Sequence, residues 1–292
     1  MRGSVSMSAA VAEKLKGRGV RRLGVQGDHL SLSQYEALGK ALPGRRIVQA
    51  GDPISHLRTI KDAGELRAIR RAIAVAEAAF KRLIARGAKG FVGRTERQIA
   101  AELEYLMCLA GAERAAFETI LAVGPHASLC HYRPGDTRVR RGDPVLIDWG
   151  AMVDGYCSDL TRVVFVGKIP PKLAEIYEVV RRAQRAGINA IRPGASVRTV
   201  DAAARKVIER AGYGDRFVHG LGHGVGRQVH ESPGLARTGK GRLKAGMVLT
   251  VEPGIYLPGV GGVRIEDDVL VIPGGRRRLT TLPTDLPAML LT

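Results

Sequence analysis

Apolar residues recur every three to four positions across residues 65–86 and again across 172–191, and both stretches predict amphipathic helices. A shorter segment of the same period follows each. GRTERQIAAELEYLMCLAGA begins at Gly93 and GASVRTVDAAARKVIERAGY at Gly194, and the two align without a gap. Thr95 and Ser196 fall where a helix N-cap is expected, and Gly111 and Gly212 where a helix ends. The spacing then becomes strand-like: RVRRGDPVLID, ending at Asp148, matches RLKAGMVLTVE, ending at Glu252. Each half reads as two helices followed by strands. A duplicated α+β architecture is expected, with the sheets packed together and the helices outside. Such a duplication brings equivalent side chains to a shared axis, here an aspartate and a glutamate.

The stretch ahead of the repeat has a different rhythm. Residues 9–16 and 33–41 predict helices, and 22–25 and 46–49 predict strands. Gly51-Asp52-Pro53 breaks the pattern. The chain therefore divides into a small partial α/β unit, 1–60, and a main domain, 61–292.

Within the main domain, Pro144–Ile147 and Leu160–Val166 are apolar runs around Asp154-Gly155, a strong two-residue hairpin signal. With that turn central, Asp148 lies opposite Thr161, Trp149 opposite Leu160 and Gly150 opposite Asp159. Asp148 and Asp159 then share a sheet face as diagonal neighbours, roughly 7–8 Å apart at Cα, while Asp154 is used by the turn. A longer loop or a bulge would undo this parity. As a surface pair the two carboxylates would be unremarkable, but Asp148 follows Val-Leu-Ile and precedes Trp149, a setting that reads as buried.

Three further pieces carry candidate chemistry. HGLGHGVGRQVHESPG places His219, His223 and His230 among five glycines, a density that favours a ligand or substrate loop over isolated core histidines. Glu252 ends the apolar run VLTV. In GVRIEDDVLV, Arg264, Glu266 and Asp268 alternate onto one face, and Asp267 is expected to point the other way, to solvent or the turn. Arg264 beside Glu266 is either a simple ion pair or, if buried, a group that orients a metal-bound carboxylate. The candidate ligands are thus Asp148, Asp159, His223, Glu252 and Glu266. Their four negative charges match two divalent cations, and an oxygen-rich set with one imidazole suits Mn²⁺, Co²⁺, Fe²⁺ or Zn²⁺. Two such ions can share a hydroxide and polarise a carbonyl, the apparatus of metal-assisted hydrolysis.

Composition narrows the partners. The formal net charge is +18, from 46 basic and 28 acidic residues, which raises nucleic-acid binding as a question. The arginines are spread along the chain, clusters such as Arg276-Arg277-Arg278 read as solvated loops, and aromatics are only 4%, too few for a base-stacking platform. Nucleic acid is not an expected partner. Cys108, Cys130 and Cys157 form no CxxC pair and read as buried or half-buried thiols rather than a disulfide framework. MRGSVSMSAA has no apolar signal stretch and no run is long enough to span a bilayer, so a cytoplasmic location and no membrane partner are expected.

HYRP at 131, DWGAMVDGYCSDLTR at 148, HGLGHGVGRQVHESP at 219, VEPG at 251 and VRIEDD at 263 together resemble the pita-bread metallopeptidases, which include methionine aminopeptidases, prolidases and Xaa-Pro aminopeptidases. The resemblance covers residues 61 to about 275, and its motifs fit the Xaa-Pro branch best. It implies the pita-bread (creatinase/aminopeptidase) fold of two pseudo-symmetric halves. It also implies two divalent metals, Mn²⁺ first among the candidates, held by the same five residues, with Asp159 and Glu266 bridging. His131 and His230 would contact substrate and stabilise the tetrahedral intermediate, and Glu252 would accept the proton of the attacking water. His219 and Arg264 would complete the proline-specific site. The expected reaction is hydrolysis of the bond preceding proline in small peptides, by an Xaa-Pro aminopeptidase or dipeptidase. Two alternatives stay open: a catalytically silent binding protein on the same fold, and methionine aminopeptidase-like activity. The first 60 residues resemble only the last part of the N-terminal domain usual in this branch. A homodimer is implied, although the shortened front bears on that assembly.

Overall fold

The computed structural model describes residues 5–292 apart from Asp28 and Asp52. Met1–Ser4 and the Asp52 of the expected boundary therefore lie outside the described residues. The chain divides into two compact units, Met1–Leu57 and Arg58–Thr292.

In the first unit, helices Met7–Leu15 and Leu32–Ala41 alternate with strands Arg22–Val25 and Arg46–Gln49, which pair in parallel. Ser31 and Gln34 form a reciprocal capping box that starts the second helix where its apolar spacing begins.

The second unit holds the repeat. Its first helix, Ala63–Ile84, opens with an Asp62–Glu65 capping box and buries Ile69, Ala72, Ile73, Ala76, Phe80 and Leu83, a stripe set by 3.6-residue spacing. Helices Glu96–Leu109, Pro171–Ala190 and Val197–Arg210 complete the two pairs. One sheet runs in the order Leu290–Leu291, Leu160–Val166, Pro144–Trp149, Ile120–Val123. A five-stranded sheet runs Glu231–Leu235, Gly222–Gly224, Val248–Val251, Asp267–Ile272, Gly275–Arg278. The two meet at an antiparallel bridge between Thr161 and Glu266, where the Glu266 N–H donates to the Thr161 carbonyl at 3.2 Å. Residues at the ends of both central strands therefore face one another.

Equivalent contacts recur in the halves. Thr95 bridges to Arg138 and Ser196 to Arg242. The two guanidinium groups donate to matching carbonyls, Gly93 at 2.6 Å and Gly194 at 2.8 Å. The symmetry is of backbone more than of caps. Thr95 accepts the Gln98 N–H, whereas Ser196 occupies the N-cap position without a side-chain cap bond.

Three expectations are corrected. Arg276-Arg277-Arg278 is not a loop but the exposed edge strand Gly275–Arg278. Cys108 is exposed, while Cys130 is half-buried and Cys157 buried. Asp267 does not meet solvent: it is fully buried, because the outer face of its strand is covered by Gln184 of helix Pro171–Ala190 and by residues 280–283. Among the described residues, no helix is long and apolar enough to cross a membrane.

Candidate active site

The hairpin register is the one its turn dictates. Asp148 pairs with Thr161, Trp149 with Leu160, Met152 with Cys157 and Val153 with Tyr156. Asp154 and Gly155 both take positive φ, 51° and 70°, as a two-residue turn of this hand requires. Between the paired segments the strands come very close at Gly150, where an added Cβ would lie 2.0 Å from the Ser158 carbonyl oxygen and 2.9 Å from the Phe117 ring. Gly150→Ala is expected to cost about 1–3 kcal/mol, as overpacking does. It would also disturb both aspartates that flank the crossing. Urea denaturation of the variant checks this, and an unchanged midpoint would contradict it.

Asp148, Asp159, His223, Glu252 and Glu266 all line one cavity of about 570 Å³, together with His131, His219, His230 and Arg264. They arrive from different elements: Asp148 from a central strand, Asp159 from the return of the hairpin, His223 from the glycine-rich strand Gly222–Gly224, Glu252 and Glu266 from beside the second sheet. Asp159, His223 and Glu266 each offer a donor atom within 4.8 Å of the others. The His223 Nδ1 lies 3.1 Å from the Gly224 carbonyl, which leaves Nε2 facing Glu252 at 3.4 Å and Asp159 at 3.6 Å.

The electrostatics of this group are unfavourable without a cation. Burial, followed by repulsion from Glu266, Asp148 and Glu252, pushes the Asp159 carboxyl well above the ordinary range. Burial and the charges of Glu252 and Asp148 do the same to Glu266. Burial raises Asp148 too, against the pull of Arg264. Glu252 is the exception: burial opposes its charge, but the hydrogen bond and charge of His223, with the charges of His219 and Arg264, together outweigh burial and hold it low. The Asp148 Oδ1 is buried and has no hydrogen-bond partner among the described residues. A buried, orphaned carboxylate oxygen beside three more carboxylates and an inward imidazole is a donor set that fits divalent metal.

Arg264 is buried, and it anchors this set from behind. Its guanidinium donates to Asp148 Oδ2 at 2.5 Å, to the Tyr256 hydroxyl at 2.9 Å and to Thr161 Oγ1 at 3.1 Å. Thr161 in turn donates to Glu266 Oε2 at 2.6 Å. His219 sets its Nδ1 2.7 Å from the Gly220 carbonyl and its Nε2 2.8 Å from the Tyr256 hydroxyl, and burial lowers its pKa. His230 is exposed at the mouth with its ring edge-on to His223, 4.3 Å between centroids. His131 also lines the cavity and is exposed.

The profile described as metallopeptidase family M24 matches residues 67–273, and that of the creatinase/prolidase N-terminal domain matches residues 2–60. The chain belongs to metallopeptidase family M24. Its M24 domain spans both halves of the repeat and every candidate ligand. An Xaa-Pro dipeptidase of Pyrococcus furiosus is 42% identical over 264 residues, covering 90% of this chain and 75% of the relative. Among solved structures, an Xaa-Pro dipeptidase from Bacillus anthracis superimposes with a TM-score of 0.94 at 38% identity, over 99% of this chain and 79% of that one. An X-Pro aminopeptidase from Thermotoga maritima gives 0.90 at 35% identity, over 99% and 80%. This M24 chain has the pita-bread fold, is an enzyme, and works with divalent metal.

Several residues that shape the M24 site were not expected from sequence. Thr161 was placed opposite Asp148 by the turn, so its position was available, but not its bond to Glu266. Tyr256, which joins His219 to Arg264, follows Pro253-Gly254 and carries no local signal. The Arg162 guanidinium braces the Glu266 carbonyl at 2.6 Å and the Asp267 carboxylate at 2.8 Å. Glu96 is an acid in the first turn of a helix, a position with no local signal of a buried role.

Proposed function

We propose that this M24 enzyme cleaves the bond preceding proline in small peptides, as an Xaa-Pro dipeptidase or aminopeptidase. The observation that carries the reading is the convergence of the five candidate ligands with His131, His219, His230 and Arg264 on one cavity. Relatives named Xaa-Pro dipeptidase support it.

Asp148, Asp159, His223, Glu252 and Glu266 would hold two divalent ions, Mn²⁺ foremost, which when bound supply Lewis acidity and lower the pKa of water. The protein's own groups do the rest. A Glu252 oxygen, kept ionised by its surroundings, accepts a proton from the attacking water. His131 and His230, which both line the cavity, donate N–H groups toward the carbonyl oxygen as it gains charge. Partial desolvation at the cavity mouth, followed by the charge of the neighbouring His223, lowers the His230 pKa. His219 is held by Tyr256 where a proline ring would be recognised. Arg264 aims Asp148 and offsets part of the burial that raises its carboxyl.

On this reading residues 1–60 form a partial N-terminal unit and 61–292 the catalytic domain. The enzyme acts in the cytoplasm on peptides with proline second, as a homodimer and without nucleic acid. A panel of Ala-Pro, Ala-Pro-Ala, Ala-Ala and Met-Ala-Ser with added Mn²⁺ tests the specificity. Cleavage confined to the two proline peptides is expected, and faster cleavage of Ala-Ala or Met-Ala-Ser would overturn it.

A further inference from the structure

We infer that Glu96 is a positioning residue for catalysis: its buried carboxylate anchors the segment that presents His131 to the cavity. The inference rests on the reading of His131 as a substrate-facing group. Glu96 lies in the first turn of helix Glu96–Leu109 and takes no part in lining the cavity. An acid there ordinarily faces solvent and gains from the helix dipole. Glu96 instead turns inward and is fully buried.

All four of its side-chain hydrogen bonds go to one segment. Oε1 accepts from the Val123 N–H at 2.9 Å and lies 2.9 Å from His126 Nδ1. Oε2 accepts from the Tyr132 hydroxyl at 2.9 Å and the Gly135 N–H at 3.0 Å. The bonds therefore bracket the stretch that bears His131, with Tyr132 immediately beside it. The Tyr132 ring stacks on His126, 4.5 Å between centroids, which ties the two brackets together. Burial, followed by the bond to Glu96, pushes the Tyr132 pKa up to about 12, so the hydroxyl keeps its proton and donates throughout the working range. The backbone of the same turn adds two rungs, Glu96 N–H to the Thr137 carbonyl and Arg97 N–H to the Gly135 carbonyl, both at 3.0 Å.

Each carboxylate oxygen meets one backbone N–H, and a backbone N–H cannot change its role. An amide in place of the carboxylate must therefore point its own donors at a donor, whichever way it is turned. Glu96→Gln keeps the volume and breaks the anchor, leaving a buried N–H unpaired.

The test combines Glu96→Gln, the milder Tyr132→Phe and His131→Asn in the full chain loaded with Mn²⁺, using Ala-Pro. Glu96→Gln is expected to lower kcat/KM about 10–100-fold, the scale of a misplaced catalytic group. Metal content should be unchanged, and amides 129–136 should exchange with deuterium faster while the central strands stay protected. Tyr132→Phe should follow in the same direction by about 2–10-fold, since one anchor of four is lost. In the His131→Asn background the Glu96→Gln loss should shrink below about 2-fold, as coupled sites require. Parental kcat/KM in Glu96→Gln, an equal loss with and without His131, or unaltered exchange at 129–136 would each overturn the inference. Full activity in His131→Asn alone would overturn the reading of His131 instead.

Discussion

Asp159→Asn is expected to eliminate stoichiometric metal retention and to drop hydrolysis below about one-thousandth of the parent, the loss that follows when Lewis-acid stabilisation of several kcal/mol disappears. The same variant, stripped of metal, should be at least as stable as the stripped parent. Asp159 is raised by burial and by Glu266, Asp148 and Glu252, so removing its charge relieves repulsion that only a cation otherwise offsets. The sign with pH follows from linkage. A carboxyl whose folded pKa lies above its unfolded value favours folding at low pH. That contribution is lost as pH rises through the ordinary carboxylate range, about 4, toward the raised value. The metal-free parent should thus lose stability with rising pH, and Asp159→Asn should flatten the slope. Metal reverses the trend, because it competes with protons for the same oxygens. Thermal melts with and without chelator across that range check this, and a stripped Asp159→Asn that melts well below the stripped parent would contradict it.

Arg162→Met is expected to cost about 3–5 kcal/mol of folding stability, the penalty of removing one side of a buried ion pair. Arg162 and Asp267 are both fully buried. The guanidinium donates to the carbonyls of Pro283, Thr161, Glu266 and Leu282 and to the Asp267 carboxylate, so every donor is engaged. Met matches the stem but satisfies none of these acceptors. Arg71→Ala, which breaks the exposed pair with Asp154, should change stability by less than about 1 kcal/mol. Urea unfolding of both variants measures the contrast, and similar losses would contradict the account. Because Arg162 also holds the Glu266 carbonyl, Arg162→Met should weaken metal retention even where it folds.

How much of this was legible in the sequence follows from what fixes each feature. The register of Asp148 against Thr161 was readable because a two-residue turn and a period of two leave one solution. The duplication was readable because two helices of equal spacing carry matching ends, and the paired bridges Thr95–Arg138 and Ser196–Arg242 are its structural counterpart. Asp267 was misread for a physical reason. Strand alternation says which residues share a face, but not whether the opposite face is covered, and here helix Pro171–Ala190 and the C-terminal segment cover it. Ser196 shows a similar limit: spacing placed the N-cap, while the hydroxyl's partner depended on tertiary setting. The roles of Tyr256 and Glu96 come from contacts distant in sequence, which no local pattern encodes.

The central claim is that the buried carboxylates and His223 hold two divalent ions that Xaa-Pro hydrolysis requires. Titrating the chelated full chain with Mn²⁺ while following both bound metal and Ala-Pro cleavage tests it most directly. Binding that saturates near two ions per chain, with hydrolysis appearing as those sites fill, is the predicted result. Full hydrolysis in the chelated protein, or two bound ions with no cleavage of any Xaa-Pro peptide, would contradict it.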